Sequence, residues 1–391
     1  MKINIKCRPQ DFIVEEVADF TLHNNGKFGI YLLKKENWNT VELLLHLSRE
    51  SGIPFEDFSY GGRKDRHALT SQYISIGGQR KITFKEKGYS LDFLGFMDRP
   101  YGPDLMRGNK FRIIVRNLEN SDIIRAKKQA RVILPEGFAN YFDDQRFGSL
   151  DPEQGFLAEK LLKGHFNGAL KAYMTSIYPD DSKDEKGRKK ILLNNWKDWR
   201  KCLKNASAGF QKEAFSALSV RPNCFLEVLR KIPRERMSLF FAAYQSYIWN
   251  EVLRRIIGST AKALRSYAGV AGNYLFYDGL GREDYLYLNG LNLPTMDAKV
   301  RMPDSVSQAV YRAVLKENGI EMPMFNKMKI RRPFFRSFVR SAIAYPQDFT
   351  FKSLDDELYS GRKKLELEFI LPRGSYGTML VKRVFSDENN Q

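Results

Sequence analysis

Strand-like texture at both ends of the chain, with helical texture between, limits the fold of these 391 residues more than any other feature. Phe28–Leu33 and Lys110–Arg116 have the aromatic and β-branched content of strands, and Gln72–Ile76 alternates in the same way. Toward the end, Leu365–Ile370 and Met379–Val384 again read as strands. Between these ends, Phe156–Met174 and Ser238–Ile257 carry helical spacing instead. Thr40 is placed to cap a helix over Val41–Leu47, and Ser121 to cap one running through Ile123, Ile124 and Ala130 toward Pro135. The charged run Asp181–Lys190 predicts a solvated loop. The chain is long for one core, and strands interleaved with few helices indicate α+β rather than a regular βαβ repeat. The simplest arrangement is one sheet domain built from residues 1–151 and 338–391, with a mainly helical domain, 152–337, inserted between them.

Charge narrows the partner. Lys and Arg number 64 against 46 Asp and Glu, a net +18, which suits a polyanion: nucleic acid or an anionic membrane surface. A basic surface without such a partner would give the same balance. No apolar run approaches the roughly 20 residues that span a bilayer. The opening Met1–Lys6 has no apolar stretch of signal-peptide length. Cys7, Cys202 and Cys224 are far apart and in no metal or redox spacing, which fits a reduced cytoplasm. His23, His46, His67 and His165 are equally scattered, so a zinc site is not expected. Gly279 and Gly281 complete no phosphate-binding fingerprint.

The densest local chemistry lies in Gly61-Gly62-Arg63-Lys64-Asp65-Arg66-His67-Ala68-Leu69-Thr70-Ser71-Gln72. Asp65 sits between cations that favour its ionised form, and the two glycines allow a tight or left-handed turn. Such an acid is a nucleophile or a buried ion-pair partner; a Lys-Asp-Arg run taken alone is more often a surface charge cluster. Three more segments stand out: Pro9–Glu16, Asn140–Gly148 and Leu371–Thr378. Each joins an aromatic ring to polar groups and a turn, the inventory needed to hold an unstacked nucleobase.

At these residues the chain resembles the TruD family of tRNA pseudouridine synthases. Gly-Arg-Lys-Asp-Arg-His-Ala-Leu-Thr-Ser-Gln, Asn-Tyr-Phe-x-x-Gln-Arg-Phe-Gly and Leu-Pro-Arg-Gly-Ser-Tyr look like its three signatures, in order, after an Asp-Phe-x-Val-Glu-Glu opening. The resemblance runs from residue 9 to about 383. It implies an α+β fold of pseudouridine-synthase type, with a mixed, mainly antiparallel sheet and a helical insertion. It implies a cytoplasmic enzyme that isomerises uridine 13 in the D arm of tRNA, with tRNA as partner and no metal or cofactor. By position the nucleophile is Asp65. Phe12, Asn140, Phe142 and Tyr376 are substrate contacts, with Tyr376 stacking on the uracil. Lys382, Lys64 and Arg66 are the candidates for the cation facing Asp65. The chain departs from the family at Asp143, where glycine is common, at Gly377, where alanine follows the stacking ring, and at Lys382-Arg383, where an Arg-Glu pair is usual.

Plainer roles stand beside these. Phe12 and Phe142 suit a core as well as a site, Asn140 suits a turn cap, and Arg146 suits a loop anchor through an ion pair or, beside that, a phosphate contact. The basic runs Lys327–Arg332 and Arg362–Lys364 are solvated faces or phosphate contacts, and the aromatic helix around Phe240–Trp249 is expected to be core. The rival functions are a non-catalytic tRNA-binding protein or RNA chaperone on the same fold, and a metal-dependent RNA hydrolase using Asp143-Asp144.

Overall fold

The computed structural model describes residues 4–327, 330, 335 and 337–388. Met328, Lys329, Arg331 and Arg332 of the basic run therefore lie outside the described residues. The chain divides into two compact units, Met1–Phe138 with Ala344–Asp387 and Ala139–Ile343 with Glu388–Gln391. The divisions fall at 138/139 and 343/344, against 151/152 and 337/338 expected from the sequence.

The first unit is a nine-stranded sheet carrying helices. Its N-terminal part supplies β1 (Phe12–Ala18), β2 (Phe28–Glu36), α1 (Thr40–Ser51), β3 (Phe58–Tyr60), β4 (Leu69–Gly77), β5 (Phe84–Glu86), β6 (Tyr89–Met97), β7 (Met106–Leu118) and α2 (Asn120–Glu136). The C-terminal part adds the strands Gln347–Asp355 and Lys363–Pro372 and a helix, Gly377–Val384. Across the sheet the order is Gln347–Asp355, Lys363–Pro372, β7, β1, β4, β2, β6, β5, with β3 paired to β4. Every pairing is antiparallel except β1 on β4, which is parallel with Ile13 opposite Leu69. That one parallel contact sets the N-terminal segment beside the chain that has just left the Asp65 loop.

Leu43, Leu44 and Leu47 form one stripe of α1 and pack with Tyr31, Leu33, Phe58, Ile74, Ile76 and Leu91 of the sheet. The cap of α1 is Asn39, whose Oδ1 accepts from the Val41 amide at 2.9 Å; Thr40, the expected cap, is buried and used elsewhere. Glu119, not Ser121, caps α2, in a box with Asp122, whose Oδ2 accepts from the Glu119 amide at 2.9 Å. α2 packs on strand Lys363–Pro372 and on helix Gly377–Val384. The sequence predicts a strand over Met379–Val384; the segment is helical, and all eight residues from Gly377 to Val384 are buried. At Gly108, opposite Pro372, a Cβ would run into the Leu371 carbonyl, so only glycine lets these two strands close up. A buried guanidinium joins the two ends of the chain: Arg116 bonds Asp11 at 2.7 and 2.9 Å and Asp356 at 2.8 Å.

The second unit is mainly helical. Its long helix Arg234–Thr260 buries Phe241, Tyr244, Ile248 and Trp249, and the Trp249 indole donates to the Leu293 carbonyl at 3.0 Å. The hairpin Leu264–Gly269/Gly272–Tyr277 packs on that helix. Phe156–Met174 is not one helix but two, Leu157–Leu162 and Phe166–Thr175, parted at Gly164 with φ 73°. The predicted loop over Asp181–Lys190 is mostly the helix Lys183–Asn194. Ser182 caps it, accepting from Glu185 at 3.1 Å, and the nearly buried Lys189 pairs with Asp181 at 2.7 Å. Among the described residues no helix is long and apolar enough to cross a membrane.

Candidate active site

Between β3 and β4, the loop carrying Asp65 is braced from below by polar side chains. The Gln72 amide donates to the Gly62 carbonyl at 3.2 Å and accepts from the Thr40 hydroxyl at 3.0 Å. That hydroxyl in turn accepts from the Lys64 amide at 3.1 Å. The Lys35 ammonium donates to the Asp65 carbonyl at 2.7 Å, the Trp38 carbonyl at 2.9 Å and the Lys64 carbonyl at 3.3 Å. Neither Gly61 nor Gly62 takes the left-handed φ that their pairing suggests. Gly61 is small because the Tyr101 ring fills the space where a Cβ would go, 3.1 Å away.

The Asp65 carboxylate lies 2.9 Å from the Lys6 ammonium, and both side chains are about a quarter exposed. Lys6 was not among the cations suggested by the sequence. It holds a left-handed φ of 61°, a conformation residues with a Cβ seldom adopt. Its ammonium also stands 4.2 Å from the centroid of Phe12, a cation–π distance. Phe12 is buried and meets Phe111 edge-on at 6.3 Å; Phe111 stacks on Phe369 and abuts Gly377. A continuous run of contacts thus links Asp65, Lys6, Phe12, Phe111 and Gly377. Tyr376, half-buried, occupies the N-cap of helix Gly377–Val384, its carbonyl accepting from Met379 at 3.0 Å.

Of the three cations expected, Lys64 is engaged elsewhere. Its Nζ sits 2.6 Å from Glu16 Oε2 and 2.5 Å from Asn109 Oδ1, with both charged side chains buried. Burial pushes the Lys64 ammonium below the ordinary lysine range, with Glu16 pulling it back up. Glu16 also accepts from the Tyr101 hydroxyl at 2.6 Å. Arg66 is exposed, as are Arg63 and His67, and Lys382 is buried in the C-terminal helix.

The second unit holds Asn140 and Phe142. Phe142 is core: 2% exposed, edge-on to Trp249 at 5.3 Å, with its amide and carbonyl both bonded to the Asn250 side chain at 2.9 Å. Asn140 is a clamped amide. Its Oδ1 accepts from Arg340 at 2.6 Å, its Nδ2 donates to the Ser341 carbonyl at 3.1 Å, and its own carbonyl accepts from Arg340 Nε at 2.7 Å. The same guanidinium lies 4.5 Å from the Phe142 centroid. No sequence signal pointed to Arg340. Arg146 Nε donates to the Ser246 hydroxyl at 3.1 Å. Asp144 accepts from the Val270 amide and the Tyr274 hydroxyl. Among the described residues no group of three or more His, Cys, Asp or Glu side chains is placed to hold a metal ion.

The profile of the family described as tRNA pseudouridine synthase D (TruD) matches residues 1–271 and 290–384. The chain belongs to the TruD family. A relative from Methanococcus maripaludis, "Probable tRNA pseudouridine synthase D 1", is 31% identical over 98% of this chain and 100% of its own. "tRNA pseudouridine synthase D" of Leptospira interrogans is 30% identical, over 97% of this chain and 95% of its own. The crystal structure of the putative tRNA pseudouridine synthase D from Methanosarcina mazei superposes with a TM-score of 0.72. It is 26% identical and covers 97% of this chain and 92% of that one. The α+β fold is accordingly that of TruD, and the chain is a pseudouridine synthase, an isomerase.

Proposed function

We propose that this TruD protein acts on tRNA, converting uridine 13 of the D arm to pseudouridine with Asp65 as the essential carboxylate. The isomerisation breaks the N1–C1′ bond, turns the uracil and joins C5 to C1′; the C5 proton is replaced by one on N1, so nothing is gained or lost overall. The target nucleotide is flipped out, since these bonds cannot be reached within a stack. Asp65 acts as nucleophile toward ribose or base. Lys6 orients its carboxylate, and Phe12 carries Lys6 from beneath. Tyr376 supplies the ring on which the uracil turns. The observation that carries this reading is the Asp65 carboxylate, about a quarter exposed and held 2.9 Å from an ammonium that rests on a buried aromatic ring. A net charge of +18 supports tRNA as the partner through phosphate contacts.

The test is carbodiimide–reverse-transcription mapping of a tRNA transcript incubated with purified protein. A stop at position 13 with the native chain, absent with Asp65→Asn although that variant folds and binds tRNA, is the expected result. Turnover by Asp65→Asn would remove Asp65 from the chemistry. Binding without isomerisation by the native chain would mark a tRNA-binding protein instead.

A further inference from the structure

We propose that Lys35 is a positioning residue for the reaction: its buried ammonium grips the backbone on both sides of the Lys64–Asp65 peptide and so fixes where the Asp65 carboxylate points. The inference rests on the assignment of Asp65 made above. Lys35 lies near the end of β2, opposite Thr70 of β4, and is 2% exposed. An ammonium has three protons to donate, and here they meet three carbonyl oxygens, those of Trp38, Lys64 and Asp65. Two of the three belong to the loop that carries the nucleophile. The shortest bond, 2.7 Å, goes to Asp65 itself.

Burying a cation among neutral dipoles is costly, and an apolar side chain of the same length would fill the space at less cost. Burial accordingly depresses the Lys35 ammonium, and the charge of Asp65 is the first influence that raises it again. Asp65 is therefore flanked by two ammonium groups with different tasks. Lys6 meets its carboxylate at 2.9 Å, whereas Lys35 meets its main chain. Loss of Lys35 leaves two loop carbonyls without their donor and lets the peptide before the carboxylate rotate. A displacement of about 1 Å at a reacting group is enough to cost on the order of a hundredfold in rate.

The test compares Lys35→Met, Lys35→Gln and Asp65→Asn on a tRNA transcript, measuring kcat, KM, tRNA affinity by filter binding and melting temperature. Lys35→Met is expected to lower kcat about a hundredfold with KM and tRNA affinity within twofold of the native chain. Lys35→Gln, which keeps two donors, is expected to recover part of that loss. A folded Lys35→Met with native kcat overturns the proposal, and so does a loss that appears equally in tRNA affinity. If neither Lys35 variant folds at the assay temperature, the residue is structural and the proposal fails. Should Asp65→Asn retain turnover, it is the assignment of Asp65 that falls; an inactive Asp65→Asn beside a fully active Lys35→Met refutes only the role of Lys35.

Discussion

Lys64, the residue immediately before Asp65, pairs its ammonium with Glu16 at 2.6 Å inside the sheet unit. The pair is a brace. Glu16 comes from β1, Asn109 beside it from β7, and Lys64 from the loop, so one buried charge cluster ties three segments together.

Breaking that pair should be costly. Glu16→Leu leaves a buried ammonium without a counter-charge, and unfolding free energy should fall by about 3–5 kcal/mol. The double variant Glu16→Leu/Lys64→Met should lose much less than the sum of the single losses, as read from urea titrations of all four proteins. Additive losses would show that the two charges do not depend on each other.

Lys6 should matter to rate more than to stability. Its ion pair with Asp65 is about a quarter exposed on each side, and pairs of that kind contribute about 1 kcal/mol or less to folding. Lys6→Gln is expected to lower kcat at least tenfold, about 1.4 kcal/mol of barrier, with little change in melting temperature. Unchanged kcat in a folded variant would mean that Asp65 does not need this cation.

Phe111 leaves no room for a side chain at Gly377. A Cβ there would lie 2.8 Å from Phe111 Cδ1 and 3.1 Å from Ile113 Cδ1. Gly377→Ala should therefore destabilise by about 1–3 kcal/mol through overpacking. In a cycle with Phe111→Leu the two substitutions should couple favourably, because the smaller side chain vacates the space. Independent effects on melting temperature would refute the steric account.

Lys35 should leave a mark on the pH dependence of stability. Burial lowers its ammonium from 10.5 to about 8. Below pH 8 the folded chain bears the full cost of the buried charge. Between about 8 and 10.5 the unfolded chain still binds the proton that the folded chain has released, so unfolding free energy rises with pH. Relative to Lys35→Met, the native chain should gain up to about 3 kcal/mol across that window. A flat difference in denaturant titrations from pH 7 to 10 would contradict it.

Much of this could be read from the chain in advance, and the failures have physical causes. Strands such as Phe28–Leu33 and Leu365–Ile370 are legible because alternation and β-branching survive in the sequence. Gly377–Val384 is misread as a strand because it is only eight residues long, and the short apolar run Met379-Leu380-Val381 in it suits a strand as well as a helix. Lys183–Asn194 is hidden for the opposite reason: it is polar along most of its length, and the sequence does not tell that Lys189 folds onto Asp181. The residue types near the site were visible as motifs. Their partners Lys6 and Arg340 were not, since each is brought in by pairing over 59 to 200 residues of chain.

Strand Lys363–Pro372 lies between β7 and Gln347–Asp355 and so has an interior position in the sheet, although it follows β7 by more than two hundred residues of chain. Until the ribosome has passed Pro372, β7 exposes one edge along its thirteen residues, and Arg116 waits for Asp356. The nascent chain must therefore carry an open, aggregation-prone edge while more than two hundred intervening residues emerge, and the sheet can close only once Lys363–Pro372 has followed them.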